Sequence, residues 1–334
     1  MIEESKQRFA YIDIYKAIGI IFMVMGHIGF GDVFDFFIHA FHMPMFFFVS
    51  GFLYKEKDVS FQRYVIKKTK TLLIPYLFFG IINFVVCNII YGMDISPLMH
   101  LFWDNSDGLK ISGALWFLTA IYFTDIIFAA ISRKIKNLIT LGLISFGIAT
   151  LGMILQLLEY NVPLSFGAGC VGVFLFYLGY LCSYLETRGI VTKILNMKIW
   201  QLLCFASIEI AFIFINKPAI NMRGGTYAFI PLFWLNALFS SLILINVSRL
   251  LCKILDYFPI IKNFSTTIGK DSIVFLGFNQ LVMFSVKYVL GYLGANNRMP
   301  LLIYLLVVLL LVIATLYIIT VVMTKTKLRH FIGK

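Results

Sequence analysis

The chain has 334 residues, of which 60% are hydrophobic and only 13% are charged, and its mean hydropathy is +0.91. Soluble domains have about half their residues apolar and about a quarter charged, so this composition excludes a soluble protein and indicates an integral membrane protein. The formal net charge of +12 could serve nucleic-acid binding or membrane topology, and its distribution along the chain separates the two.

Apolar segments of about twenty residues, long enough to cross a bilayer as helices, follow one another along the chain. They lie at 11–30, 36–54, 72–92, 113–131, 138–157, 166–185, 199–216, 227–248, 271–290 and 300–323. The sequence therefore predicts an all-α integral membrane protein of about ten transmembrane helices. It forms a single transmembrane domain over residues 1–334, with no separate soluble domain expected.

Most of the 28 Lys and Arg residues fall in alternate connections and at the two ends of the chain. The positive-inside rule then places both termini in the cytoplasm and accounts for the net charge, so no nucleic-acid partner is expected. One of these connections, 55–71, is basic and amphipathic, which suits anionic headgroups and makes membrane lipids expected partners. The expected location is the plasma or inner membrane, crossed many times.

The first segment, "YIDIYKAIGIIFMVMGHIGF", is apolar but contains Asp13, Lys16 and His27. In a helix, Lys16 and His27 are close to three full turns apart, so they lie on the same face, about 16 Å apart along the helix axis. Asp13 lies three residues before Lys16, within pairing range on the same side. An ion pair reaching to the cytoplasm and a histidine bonded to a neighbouring helix would explain these residues without a site. A polar cavity along one face would explain all three.

The second segment, "FFIHAFHMPMFFFVSGFLYK", places His39 and His42 within its first two turns, at the same depth as His27. Three imidazoles could hold a metal, but the two segments offer no intramembrane carboxylate to complete the set, so no metal is expected. Histidine can take a proton from a hydroxyl group near neutral pH. The cluster therefore favours general acid–base chemistry.

Five segments, in order, resemble the acyltransferase 3 family of integral membrane acyltransferases, which includes bacterial polysaccharide and peptidoglycan O-acetyltransferases. They are "YIDIYKAIGIIFMVMGH", "FHMPMFFFVSGFLYK", "GALWFLTAIYF", "VFLFYLGYL" and "IGKDSIVFLGFNQL". The resemblance covers most of the chain. It implies transfer of an acyl group, usually acetyl, from cytoplasmic acyl-CoA to a hydroxyl group of an extracytoplasmic cell-envelope glycan.

The resemblance gives the polar residues of the first two segments a mechanism. His27 is expected to act as the general base on the acceptor hydroxyl group, with an acyl-carrying role as the alternative. Lys16, paired with Asp13, is expected to line the donor path. His42 is expected to orient His27 or to hydrogen-bond the acceptor or the carbonyl oxygen.

Further residues are expected to bind the donor and the acceptor. Arg63, Lys67, Lys68 and Lys70 precede the third segment, where relatives carry a basic pattern that meets CoA, although lysine lacks the bidentate geometry of arginine. Acetyl-CoA is thus the expected donor, as a substrate. The residues expected to contact the acceptor are Trp116, Glu209 and His39.

The ninth segment departs from the family at one position, and one rival function stays open. Many relatives carry histidine near the "GFNQ" of the ninth segment, where this chain has Asn279, so that position is given no acid–base role. Helix-to-helix hydrogen bonding is expected of Gln280. A transporter of a small solute or lipid-linked sugar is the alternative, although neither an internal repeat nor paired broken helices can be found in the sequence. The sequence leaves open the acceptor and whether the protein forms a homo-oligomer.

Overall fold

The computed structural model describes residues 10–56, 59–92, 95–103, 113–160, 162–217 and 219–333. These residues form helices joined by turns, and within these ranges the only β pairing is an isolated bridge between Asn221 and Thr226. The all-α prediction is confirmed.

The α-helices are numbered in chain order. They are α1 Ala10–Ile28, α2 Asp32–His39, α3 Pro44–Phe52, α4 Phe61–Lys68, α5 Ile74–Tyr91, α6 Ser96–Met99, α7 Trp116–Lys134, α8 Leu138–Leu157, α9 Phe166–Thr187, α10 Ile199–Ile215, α11 Ile230–Leu255, α12 Pro259–Lys270, α13 Ser272–Tyr292, α14 Ala295–Arg298 and α15 Leu301–Lys325.

Among the described residues, nine helical segments are long and apolar enough to cross a membrane. Two of them combine neighbouring helices, α2 with α3 and α4 with α5. The tenth predicted span corresponds to α10, which is apolar but has only 17 residues. A helix of that length is at the lower limit for crossing the hydrocarbon core. The predicted multi-span architecture is confirmed, with nine candidate spans among the described residues where the sequence predicts about ten.

The second span is broken where the sequence predicts a continuous helix. The helix α2 ends at His39, residues 40–43 form a turn, and α3 begins at Pro44. Proline has no backbone N–H and is well placed at the first position of a helix, so it favours a new start here. His42 therefore lies in the connecting turn, which corrects its predicted place within the first helical turns.

The third span begins earlier than predicted. Helix α4 continues through a π-helical turn, Thr69–Leu73, directly into α5, so that the basic stretch and the span form one helical segment. Pro75 follows this turn and cannot donate a backbone hydrogen bond; a local wide turn accommodates such a residue. The basic residues of α4 are thereby attached rigidly to a membrane-spanning helix.

Glycine allows the closest helix packing around the first and second spans. A methyl group on Gly51 of α3 would lie 1.8 Å from the backbone oxygen of Phe176 on α9, and one on Gly179 would lie 1.9 Å from that of Phe48. At the other contact, a methyl group on Gly269 of α12 would lie 1.7 Å from the backbone oxygen of Asp13. Small residues let helix backbones approach in this way inside membranes. They fix the positions of α1 and α3, which carry most of the predicted site.

Candidate active site

A cavity of about 1000 Å³, here the large cavity, lies between the end of α1, the turn between α2 and α3, the start of α7 and the connection from α10 to α11. Its lining combines apolar side chains with histidine, acidic and basic groups. The lining residues are Met23, His27, Asp32, Asp35, Phe36, His39, His42, Met43, Gly113, Ala114, Trp116, Ala219, Ile220, Asn221, Met222, Arg223, Gly224 and Thr226.

The three histidines singled out from the sequence all line the large cavity. His27 lies in the last turn of α1, and the rings of His39 and His42 pack edge to face with their centroids 5.0 Å apart. His42 is buried, with 8% of its surface exposed. Among the described residues, no three His, Cys, Asp or Glu side chains are arranged to hold a metal ion. The cluster can exchange protons with a bound hydroxyl group.

Backbone carbonyl groups fix two of the imidazole rings. The Nδ1 atom of His42 lies 2.8 Å from the carbonyl oxygen of Ile38, and that of His39 lies 2.6 Å from the carbonyl oxygen of Asp35. A carbonyl oxygen can only accept, so Nδ1–H donates in each neutral ring and Nε2 keeps its lone pair. Both rings are thus oriented by the turn of helix that precedes them.

The ring of His27 is bound by a side chain from a distant helix. Gln280 on α13 lies with Nε2 3.2 Å from the Nδ1 atom of His27, and its Oε1 accepts from the backbone N–H of Gly113 at 2.6 Å. Sequence reasoning expected Gln280 only to join helices. Its position beside Asn279, near which many relatives carry histidine, could have indicated a role at the site. Asn279 itself is fully buried, and its side-chain amide has no hydrogen-bond partner among the described residues.

Lys287 of α13 binds the end of α1. Its Nζ atom donates to the carbonyl oxygen of Ile28 at 2.9 Å, and Ile28 is the last residue of the helix. The last carbonyl groups of a helix lack intrahelical partners and carry partial negative charge, so a lysine there is favourable. This contact holds the turn that carries His27 against α13.

A second, smaller cavity of about 190 Å³ lies beside the large one. Its lining residues are Lys16, Ile20, Met23, Met43, Phe46, Val49, Ser50, Leu72, Phe117, Leu118, Ile121, Ser272, Ile273 and Leu276. Met23 and Met43 line both cavities and so form the boundary between them.

One face of α1 faces the two cavities in succession. Lys16, Ile20 and Met23 line the small cavity, and Met23 and His27 line the large one. Their spacing is that of a single helical face. Asp13 is buried, 4% exposed, and is not part of either lining.

The predicted cofactor-binding residues divide into two kinds. Arg63, Lys67 and Lys70 are exposed on α4 and the π-helical turn. Lys68 instead forms an ion pair with Asp125 of α7, which is 3% exposed and also accepts from the Tyr64 hydroxyl group at 2.5 Å. Lys68 is therefore engaged within the protein, while the other three are available to a ligand.

Two of the predicted acceptor-binding residues, His39 and Trp116, line the large cavity, and the third does not. Glu209 is 3% exposed between α10 and α11, where it accepts from the Ser240 hydroxyl group at 2.6 Å. Glu209 thus lies outside the lining of the large cavity, and its contact with the acceptor stays a prediction.

The cavity has polar lining residues that sequence reasoning missed. Asp32 and Asp35 come from α2, and Arg223 comes from the connection between α10 and α11, where its guanidinium group lies 3.5 Å from the carbonyl oxygen of Gly113. Connections between spans gave no periodic signal, so only the folded chain brings Arg223 to the histidines. Together these groups can bind hydroxyl groups as both donors and acceptors.

A family model described as an acyltransferase domain, that of acyltransferase 3, matches residues 9–323. No curated protein and no solved structure matches the chain. The match covers nearly the whole chain, including both cavities and all three histidines of the cluster. It favours an enzyme over a transporter. The chain belongs to the acyltransferase 3 family and is a multi-pass membrane acyltransferase.

Proposed function

We propose that this acyltransferase moves an acetyl group from cytoplasmic acetyl-CoA to a hydroxyl group of a cell-envelope glycan, or of a lipid-linked sugar, across the plasma membrane. One observation carries the proposal: the two cavities share Met23 and Met43, and His27 and His42, each within one helical turn of one of these residues in the chain, line the large cavity. A thioester entering from one cavity and a hydroxyl group in the other would meet next to two imidazole rings. Imidazole rings can take up and release protons during a reaction.

The small cavity suits the pantetheine arm of the donor. Its walls are mainly apolar, with Lys16, Ser50 and Ser272 as polar groups, which matches a chain of methylene and amide groups.

The basic residues outside the small cavity suit the phosphate groups of CoA. Leu72, in the π-helical turn, lines the cavity, and Lys67 and Lys70 are exposed on the same continuous helical segment. Lysine meets a phosphate as a point charge. By the positive-inside rule this end faces the cytoplasm, where acyl-CoA is found.

The large cavity suits a sugar. Its volume of about 1000 Å³ is at the upper end of ligand pockets, which measure about 300–1000 Å³. Asp35, Asn221 and Arg223 supply donors and acceptors for hydroxyl groups, and Trp116 supplies a flat apolar surface. A saccharide presents this combination of hydroxyl groups and apolar ring faces.

The test is a transfer assay with the purified protein in proteoliposomes. Acetyl-CoA carrying a radiolabelled acetyl group is supplied on one side and candidate envelope glycans on the other. We expect label on the glycan with the wild-type protein. With His27→Ala, transfer should fall by about 100-fold or more, since a group that assists proton transfer or binds the developing charge is lost.

Folding is checked in parallel by the melting temperature and the elution volume in detergent. The proposal is overturned if the wild-type protein labels no glycan while the proteoliposomes transport a small solute and His27→Ala leaves that flux intact. Label appearing on a glycan supplied only on the same side as acetyl-CoA would overturn transfer across the membrane.

A further inference from the structure

His27 and His42 are both hydrogen-bonded through Nδ1, but the two bonds run in opposite directions. For His27 the geometry follows from Gln280. The backbone N–H of Gly113 can only donate, so the amide atom that faces it at 2.6 Å must be Oε1. The other end of the same amide is then Nε2, a donor, and it lies 3.2 Å from the Nδ1 atom of His27. Nδ1 of His27 therefore accepts, and the ring proton is on Nε2.

His42 has the opposite tautomer. Its Nδ1 atom faces the carbonyl oxygen of Ile38 at 2.8 Å, so Nδ1 carries the proton and Nε2 carries the lone pair. No group within the described part of the chain hydrogen-bonds Nε2 of either ring. Each ring thus has one nitrogen fixed by the protein and one available to a ligand in the large cavity.

Position separates His42 from His39, which has the same tautomer. Met43 follows His42 directly in the chain, and Met23 lies one helical turn before His27, so each of these two histidines is within one turn of a boundary residue in the chain. His39 lies four residues before Met43 in the chain and is only partly buried. His27 and His42 are therefore the pair placed where donor and acceptor would meet.

We infer that His42 is the general base of the transfer, and that Gln280 holds His27 as an Nε2–H donor to the carbonyl oxygen of the thioester. This inference rests on the acyl transfer proposed above. It exchanges the roles that the sequence suggested for the two histidines. Gln280 acts through His27 and is a positioning residue.

The reaction is balanced with these two groups. The acceptor oxygen attacks the thioester carbon, the new C–O bond forms, and the hydroxyl proton passes to Nε2 of His42. The carbonyl oxygen gains negative charge and accepts a hydrogen bond from Nε2–H of His27. When the C–S bond breaks, the thiolate of CoA takes the proton back from His42, and the products are an acetyl ester and free CoA.

Glutamine substitutions separate a donor from a base. A glutamine side chain can donate through its amide group but is not basic, so it can replace the role inferred for His27 and not the role inferred for His42. We expect His27→Gln to retain transfer within about tenfold of wild type, whereas His27→Ala loses about 100-fold. His42→Gln should lose about 100-fold or more, and His39→Gln should serve as the neighbouring comparison.

The assignment is overturned if His27→Gln is as inactive as His27→Ala, or if His42→Gln remains active. If transfer by His39→Gln is as slow as transfer by His42→Gln, His42 is no longer distinguished as the base, and the assignment is also overturned. Melting temperatures of all four variants must stay within the range of wild type for the comparison, and His42→Asn provides a second variant should His42→Gln fail to fold.

The tautomers can be measured without any transfer assay. The chain has only five histidines, so the ¹⁵N-histidine NMR spectrum of the full-length protein contains few ring signals. The histidine variants assign each signal to its residue. We expect a protonated Nε2 on His27 and a protonated Nδ1 on His42. Gln280→Met should remove the preference on His27 alone and lower kcat by about tenfold with little change in KM.

A protonated Nδ1 on His27 in the wild-type protein, or a spectrum unaltered by Gln280→Met, would overturn the inference. These readouts remain valid even if no acceptor glycan is labelled. Failure of the proposed function and failure of the tautomer assignment are therefore distinguishable.

Discussion

Met23 of α1 and Met43, the residue before α3, line both cavities and form the boundary between them. Both side chains are largely buried, at 3% and 9% exposure. Methionine is unbranched and flexible, so it can change rotamer to connect two spaces without a movement of the helices. The boundary thus lies on the direct route from the proposed donor path to the histidines.

Narrowing this boundary should slow transfer. Met23→Phe and Met43→Phe replace a flexible side chain by a rigid ring, and we expect transfer from acetyl-CoA to fall by about tenfold or more. Met153→Phe on α8 is the control, because Met153 is equally buried but lines neither cavity. All three should lower the free energy of unfolding similarly, by about 1–3 kcal/mol, through overpacking. Wild-type rates in both boundary variants would remove the boundary from the route.

Reversing charge on the basic helical segment should weaken binding of the donor. We expect Lys67→Glu and Lys70→Glu to raise KM for acetyl-CoA by about tenfold with little change in kcat, because they lose binding shared by ground and transition states. Acetyl-pantetheine lacks the nucleotide phosphates, so its KM should not change. Lys198→Glu, at an exposed position before α10, is the control variant. An equal rise in KM for both donors would contradict phosphate binding at these lysines.

The ion pair between Lys68 and Asp125 should contribute to stability more than to catalysis. Lys68→Met leaves a buried carboxylate whose remaining hydrogen-bond partner, among the described residues, is Tyr64, and breaking such a pair costs about 3–5 kcal/mol. Lys67→Met, which removes an exposed charge, should change the free energy of unfolding by less than about 0.5 kcal/mol. The double variant Lys68→Met with Asp125→Asn should regain part of the loss. Chemical unfolding in detergent measures all three, and equal effects of the two lysine changes would argue against the pair.

Close packing of α12 against α1 should make Gly269 intolerant of any side chain. The backbone oxygen of Asp13 would lie 1.7 Å from the added carbon of Gly269→Ala, so the helices must separate, at a cost of about 3 kcal/mol or more. Gly147→Ala is a matched control, since Gly147 lies within α8 and, in the described part of the chain, no atom outside its own helix turn lies within 4 Å of the added carbon. That variant should gain about 0.5–1 kcal/mol from helix propensity. Similar melting temperatures for the two variants would contradict the packing.

The sequence by itself determined the membrane class, the approximate positions of most spans and the polar face of α1. Hydropathy indicates where spans lie, because any segment inside a bilayer must be apolar and must satisfy its own backbone hydrogen bonds. Helical periodicity then places Lys16 and His27 on one face, and the structure shows both lining the pair of cavities. These are local properties, readable within one segment of the chain.

Tertiary structure alone decided which faces meet. Gln280 contacts His27 although the two residues are 253 positions apart in the chain. Lys68 forms an ion pair with Asp125 of α7, and Glu209 bonds to α11 and does not line the large cavity. Each outcome depends on packing between helices that are distant in sequence, and no periodicity within one helix specifies its neighbour. The tautomers of the histidines depend in turn on those neighbours, so the chemical roles at the site are set by the assembled bundle.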